Sequence, residues 1–504
     1  MELSLTKTGA GCYDNTYSQV LRKEESLDAV VPDTLPDIAE VLETTALLLV
    51  RSKDISDGGV RVGFNVAAHV IYTPEGESCP RFFEVLLPVG ISVEDAAIRD
   101  GCACVADAQL LSVDARMLNP RKVLVRADIL VRLDCYMPGR MELVDGVENA
   151  AEGVYTKIDS ACVVPVVSAR EKTFVISEEL PLSVASPCTQ VLSSRVCFRT
   201  DEVKSAGSKL VFKGEALCTL LCRGQDDTLC EARVSAGFSQ IMDMDTECDA
   251  PLTQLLLGPT GAYFELVDGG DGRTVRVELH VLAQAVCCRR MELSYLSDAY
   301  SNRNPLELST QSLGAVCARR EVSLRENLRQ VFETPWPARE VLSARAVPGA
   351  AEFVSGEVKL PVSVSVIYLG EDGTIHAGRR KYDLALPLAL AEGEQPDAFS
   401  PEVTDLYLAP SAEGIELRAQ CEVVVRLASR CAFSFVSGIV CQEDTALDLS
   451  DAPSLVLIRA GGPASLWELA RDNRSSVAAI RRVNGLEEGG EENGARFLLI
   501  PRTR

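Results

Sequence analysis

Groups able to carry out chemistry are scarce in this chain: it has three histidines among 504 residues. His69 and His280 fall inside alternating apolar runs and His376 in a turn. A Cys-His or Ser-His dyad would therefore need distant stretches of chain to meet, and no local signature announces one. No residue is assigned a catalytic role. Cysteine is plentiful at 18, but the closest groupings are Cys102-x-Cys104, Cys218-x3-Cys222 and Cys287-Cys288, none with the paired C-x2-C spacing that clamps zinc. Cys218 and Cys222 would share one face of a strand about 13 Å apart, too far to hold one ion. Buried, inert thiols are the expectation, and no metal or cofactor is expected. The cluster Asp268-Gly269-Gly270-Asp271-Gly272 has two carboxylates but lacks the further oxygens and terminal Glu of an EF-type loop, and reads as a hairpin turn. Gly258-Pro259-Thr260-Gly261 lacks the Gly-Lys-Ser/Thr of a phosphate loop.

The charge balance narrows the partners. With 50 Lys and Arg against 73 Asp and Glu the net charge is −23 and the pI near 4.7, which repels phosphate backbones and anionic lipid. Nucleic acid and membrane surfaces are excluded as natural partners. The start, MELSLTKTGAGCYDNTYSQV, has neither the basic opening nor the apolar run of a signal peptide. Apolar stretches such as Ala46 to Val50 are strand-sized, well short of the roughly 18 residues of a membrane span. The reading is a cytoplasmic protein with reduced thiols and no membrane span.

The elements follow a period of 150 residues. A proline followed closely by Val-Leu occurs as Pro36 to Val41-Leu42, Pro187 to Val191-Leu192 and Pro337 to Val341-Leu342, the pairs being 150 residues apart each time. After each comes an apolar run, many residues alternating: Val60 to Tyr72, Leu210 to Cys222 and Val358 to Tyr368. A second run closes each unit, at Lys122 to Leu133, Thr274 to Val286 and Ile415 to Leu427. Alternation, abundant Val and turn clusters such as Asp57-Gly58-Gly59 predict strands and hairpins. The expected fold is mainly β: three repeated antiparallel β-sandwich-like domains with one polar face per sheet. One short helix per repeat is expected from Thr34-Leu35-Pro36-Asp37, which sets a capping hydroxyl before a carboxylate, with Ile38, Val41 and Leu42 at helical spacing. The divisions read from the sequence are an N-terminal segment 1–25, repeats 26–150, 170–290 and 325–430, and a C-terminal domain 452–504. Stretches 137–170 and 290–328 read as connections plus one or two strands.

The last domain differs in charge, with eight Arg, no Lys and six acids over 452–504. It reads as a small βααβ unit. Leu455 to Arg459 is a strand, Ser465 with Glu468 forms a capping box over Leu466, Trp467, Leu469 and Ala470, a second helix from Ser475 or Ser476 ends at Asn484-Gly485, and Phe497 to Ile500 closes. The string LVLIRAGGPASLWELARDNRSSVAAIRRVNGL with FLLIP resembles the LysM domain, matching at Leu466, Trp467, Leu469, Ala470, Val477, Ile480, Asn484, Leu486, Ile500 and Pro501. Two features depart from that pattern: Gly462-Pro463-Ala464-Ser465 replaces the family's Gly-Asp-Thr turn, and Glu487 to Glu492 stands near where Gly-Gln is usual. Trp467 reads as core packing, and Asn484 as a helix terminus. The arginines are either a solvated helix face or a basic surface for an acidic partner. On the LysM resemblance, the candidate partner- or glycan-binding residues are Gly462, Ser465, Leu466, Arg471, Arg474, Arg481, Arg482, Asn484 and Leu486.

VVPDTLPDIAEVL and RKVLVRADILVRL in the first repeat, the threefold arrangement and the terminal LysM-like domain together resemble the SPOCS-domain family of spore-forming Firmicutes. Repeats two and three depart from its motif, with Leu180-Pro181 and Pro335-Trp336-Pro337 in place of the prolines of repeat one. The resemblance implies a non-enzymatic scaffold on the mother-cell side of the forespore surface, whose LysM-like domain docks to the ATPase of the coat basement layer or another coat protein. The alternative it leaves open is a cell-wall protein that binds peptidoglycan.

Overall fold

The computed structural model describes residues 2–77, 79–149, 153–267, 272–442, 453–459, 465–486 and 497–502. The chain is mainly β, with every named strand pairing antiparallel. The first repeat holds β1 (Leu5–Val30), β2 (Ile38–Ser56), β3 (Gly59–Pro74), β4 (Arg81–Glu94), β5 (Ala103–Asn119) and β6 (Lys122–Val147). Sheet β2-β3-β4 faces sheet β5-β6-β1. After β7 (Val154–Val163) the pattern recurs in β8 (Val166–Pro181), β9 (Cys188–Ala206), β10 (Lys209–Gly224), β11 (Leu229–Asp243), β12 (Gln254–Leu266) and β13 (Thr274–Cys288). After β14 (Met291–Ser301) it recurs again in β15 (Leu306–Phe332), β16 (Ala338–Pro348), β17 (Glu352–Val354), β18 (Glu357–Gly370), β19 (Ile375–Pro387), β20 (Glu394–Ser411) and β21 (Gly414–Cys441).

The alternating runs become the central strands of each sandwich. In β3 the even residues Val60 through Tyr72 are buried, and in β6 the odd residues Val123 through Cys135 meet them. Strands β10 with β13, and β18 with β21, build the other two cores in the same way. Period-2 patterning thus places one face of each sheet inside and leaves the other for the neighbouring repeat or solvent.

The helix expected after Pro36 is not formed. Residues Ile38–Ser56 are strand β2, and Arg121 fixes the turn before it by donating to the carbonyls of Val31, Pro32 and Leu35. The helix-like spacing of Ile38, Val41 and Leu42 comes from two β-bulges, at Ala39 and Leu42, in the pairing with β3. A bulge adds one unpaired residue and re-aims its neighbours. Leu192 in β9 and Leu342 in β16 are bulged in the same place. Leu42, Leu192 and Leu342 thereby converge with Ile71, Leu221 and Ile367 in one apolar cluster, a hub where all three repeats meet on a pseudo-threefold axis.

Residues 5–25 of the N-terminal segment lie within β1. The first part of β1 runs past its sandwich and pairs with the end of β6, Leu5 to Asn15 against Tyr136 to Val147. Strand β7 pairs with β14, and the start of β15 with the end of β21, giving three two-stranded ribbons. Leu3, Leu143, Val163, Leu293, Phe435 and Ile439 pack these ribbons into a stalk, and Leu3 donates its N–H to the Ile439 carbonyl at 3.0 Å. In repeats one and three the strand passes from ribbon to sandwich through a bulge, at Thr16 and at Cys317. In repeat two it is broken at Val164-Pro165, where proline has no N–H for the ladder, and again at Arg289-Arg290.

The three sandwiches close on one another. Between the first and second, the buried Gln284 accepts from Ala106 N at 3.0 Å and donates to Ala106 O at 2.8 Å, while Lys53 Nζ donates to Gln284 Oε1 at 2.8 Å. Ser343 reaches Glu231 between the second and third. Between the third and first, Asp397 pairs with Arg319 at 2.9 Å and Arg132 at 3.5 Å. Among the described residues no helix is long and apolar enough to cross a membrane.

Candidate functional site

The C-terminal unit comprises β22 (Leu455–Arg459), α1 (Leu466–Asp472), α2 (Val477–Asn484) and β23 (Phe497–Pro501), with β22 and β23 paired. Both helices start on a serine. Ser465 Oγ accepts from Glu468 N, and Glu468 Oε2 accepts from Ser465 N at 2.7 Å, so two N-terminal amides are satisfied reciprocally. Those bonds, the backbone N–H first, hold the Glu468 carboxyl below its ordinary range. Ser476 Oγ accepts from Ala479 N at 3.1 Å, and α2 ends on Gly485 in the left-handed region at φ +64°. Leu466, Ala470 and Ile480 bury their side chains against Leu498 and Ile500.

This unit is seated on the β7–β14 ribbon. Asp298 Oδ2 accepts from Trp467 Nε1 at 2.8 Å and from Arg471 Nη1 at 2.9 Å. Tyr300 donates its hydroxyl to the Ser475 carbonyl at 2.8 Å, and Arg474 Nη1 donates to the Ser301 carbonyl at 3.1 Å. The Tyr300 ring lies edge-on to Trp467 with centroids 4.8 Å apart and stacks on Tyr155 at 5.1 Å. Burial raises the Tyr300 phenol above its ordinary pKa. Arg474 adopts φ +53°, a conformation L residues rarely take, in the turn between the two helices that carries its guanidinium to Ser301.

The residues proposed from sequence for a partner or glycan therefore divide. Leu466 is in the unit's own core, and Asn484 joins the end of α2 to β23, donating to the Ile480 and Leu499 carbonyls and accepting from Leu499 N. Arg471 and Arg474 are engaged with the ribbon, and Ser465 is a helix cap. Trp467 does pack against core residues, but its indole N–H bonds Asp298 outside the unit. Arg481 and Arg482 stand in the last turn of α2, Arg482 exposed, and neither side chain has a hydrogen-bond partner among the described residues. Leu486 is half-buried beside them. Gly462 and the segment Glu487 to Glu492 lie outside the described residues, as do Asp268 to Asp271.

The ribbon residues Asp298, Tyr300, Ser301 and Tyr155 had not been singled out from sequence. A bulge at Ser297 shifts the strand's parity between Leu296 and Ala299, and Leu293 and Leu296 are buried on opposite faces, so the strand presents no alternation. Their only signal was two tyrosines, Tyr295 and Tyr300, in an otherwise polar stretch.

The histidines are set apart by the same geometry. His280 Nε2 lies 2.8 Å from Glu278, and His376 Nε2 faces both Thr374 Oγ1 at 2.7 Å and Asp372 Oδ2 at 3.1 Å. An acid and a hydroxyl on one ring nitrogen stabilise a hairpin turn; a relay needs them on opposite nitrogens. His69 Nδ1 is buried without a partner among the described residues in a cavity of about 770 Å3 shared with Tyr263 of the second repeat, and burial lowers its pKa while Glu84 opposes. All 18 cysteines are free, and no group of three or more His, Cys, Asp or Glu among the described residues is placed to hold a metal ion. Comparison of the chain with protein-family models, with curated proteins and with solved structures gave no match.

Proposed function

We propose that this protein is a non-enzymatic scaffold of spore coat or envelope assembly, in which three fused β-sandwiches form a body and the C-terminal βααβ unit a docking head. The supporting observation is the clamp on Asp298 and Tyr300: it holds the head on the stalk in one orientation while leaving Arg482 exposed. An exposed guanidinium on a body of strongly negative charge suits an acidic protein partner, because opposite charge speeds encounter and fixes register. The sequence resemblance names the coat-basement ATPase as that partner.

The test is direct binding of the full chain to the purified ATPase, alongside the R482E variant and a sedimentation assay with insoluble peptidoglycan. Binding by the native chain, weakened about tenfold or more by the charge reversal, together with no sedimentation, is the expected result. Absence of ATPase binding removes the docking assignment. Sedimentation with peptidoglycan in its place moves the protein to the wall-binding class.

A further inference from the structure

Beside the leucine hub a cavity of about 200 Å3 opens between the three repeats. The positions three residues after the hub leucines line it: Thr45, Arg195 and Arg345, one from each repeat. We propose that this axial cavity binds a small phosphate-class oxyanion, held by Arg195 and Arg345 with hydroxyl donors from Thr45 and Ser193. No function is assigned to it by the head-docking reading, and it stands independently of that reading.

Unsatisfied donors in a cavity support this assignment. Thr45 is 7% exposed and its Oγ1 has no hydrogen-bond partner among the described residues; Arg345 Nε is buried and equally without one. A buried polar atom left unpaired costs about 1–3 kcal/mol. Its recurrence at equivalent positions of two repeats therefore points to a missing acceptor. Arg195 has only a 3.5 Å contact to Thr219 Oγ1.

The unpartnered donors, and not the net charge, decide the ligand's sign. Two carboxylates line the cavity beside the two arginines, but both are engaged elsewhere: Glu231 pairs with Arg233 at 3.1 Å and accepts from Ser343, and Glu43 accepts from Ser365 of the third repeat. Arg379 is paired with Asp114 at 3.4 Å. Arg195 and Arg345 repel each other, and neither makes an ion pair with a carboxylate among the described residues. Burial pushes the Arg345 guanidinium below its ordinary value, with Glu43 the largest opposing influence and Arg379 and Arg195 adding to the depression. A dianion with four acceptor oxygens would relieve the repulsion and satisfy guanidinium and hydroxyl donors together. The volume accommodates inorganic phosphate with bound water, or a small phosphomonoester.

The experiment measures thermal unfolding and calorimetric titration of the full chain in sodium phosphate, and in sodium chloride at matched ionic strength. A saturable rise in Tm with phosphate, absent in chloride, is expected. R195Q and R345Q should each weaken binding by about tenfold or more, and R276Q, which breaks an exposed ion pair with Glu179, should leave it unchanged. Because an arginine variant can fail to fold, T45V provides a near-isosteric second probe, expected to weaken binding several-fold with the ligand-free Tm retained. Titration with glycerol 3-phosphate distinguishes the source: tighter binding than phosphate indicates an ester, weaker binding the free ion. No saturable shift, or a shift undiminished in R195Q, R345Q and T45V, overturns the proposal.

Discussion

Asp298 is the residue on which the placement of the head turns, since one carboxylate oxygen accepts from both Trp467 and Arg471. Asp298→Ala would leave a half-buried indole N–H without its acceptor and Arg471 with Asp472 alone, at a cost of about 2–3 kcal/mol in docking. In a W336F background, which removes the exposed Trp336, Trp467 emission should shift to the red and the head become more sensitive to protease. An unchanged spectrum would show that the Tyr300 contacts suffice. His69 gives a pH dependence of known sign. Its folded pKa lies below the unfolded value, so the unfolded chain binds the extra proton, and stability falls as pH drops from above about 6.5 toward the folded pKa. His69→Gln should flatten that part of the Tm–pH curve, measured by calorimetry between about pH 8 and about pH 5. At this scale the caps Ser465 and Ser476 and the stop at Gly485 were legible in the sequence, because capping is a contact between near neighbours. Asp298 was not, because its partners lie 169 and 173 residues away.

Among the elements, the β-bulges direct the assembly of the repeats. Each bulged leucine is turned out of its own sandwich toward the axis, which makes a strand residue serve as an interface residue. Leu192 is fully buried there, so Leu192→Ala should cost about 2–5 kcal/mol, whereas the half-buried Leu342→Ala should cost less. Denaturant unfolding of the two variants would order them, and equal costs would deny the hub its asymmetry. The 150-residue recurrence of Val-Leu was visible in the sequence, but the helix inferred from it was wrong. Two bulges in five residues imitate a helical period, and only the pairing with β3 distinguishes them. The long central strands were legible throughout, since strict alternation over a dozen residues has no helical counterpart.

For the whole molecule, closure of the three sandwiches rests on a few polar bonds between repeats as well as on the hub. Gln284→Leu would strip the partners from Ala106 N and Ala106 O and one of three acceptors from Lys53 Nζ at the first-to-second interface. A loss of about 2–4 kcal/mol is expected, with the repeats unfolding in separate calorimetric steps. A single transition at the native Tm would show that apolar contacts alone carry the closure. Neither closure nor stalk could be read from the chain, because both consist of contacts between repeats whose own patterns are complete without them. The head is seated on one of the three ribbons, the β7–β14 ribbon, and that ribbon alone is interrupted where it leaves its sandwich, at Val164-Pro165 and Arg289-Arg290. The approximate threefold symmetry of the body therefore stops at the stalk: among the described residues one ribbon in three carries a βααβ unit, which gives an otherwise repetitive surface a single distinguishable direction.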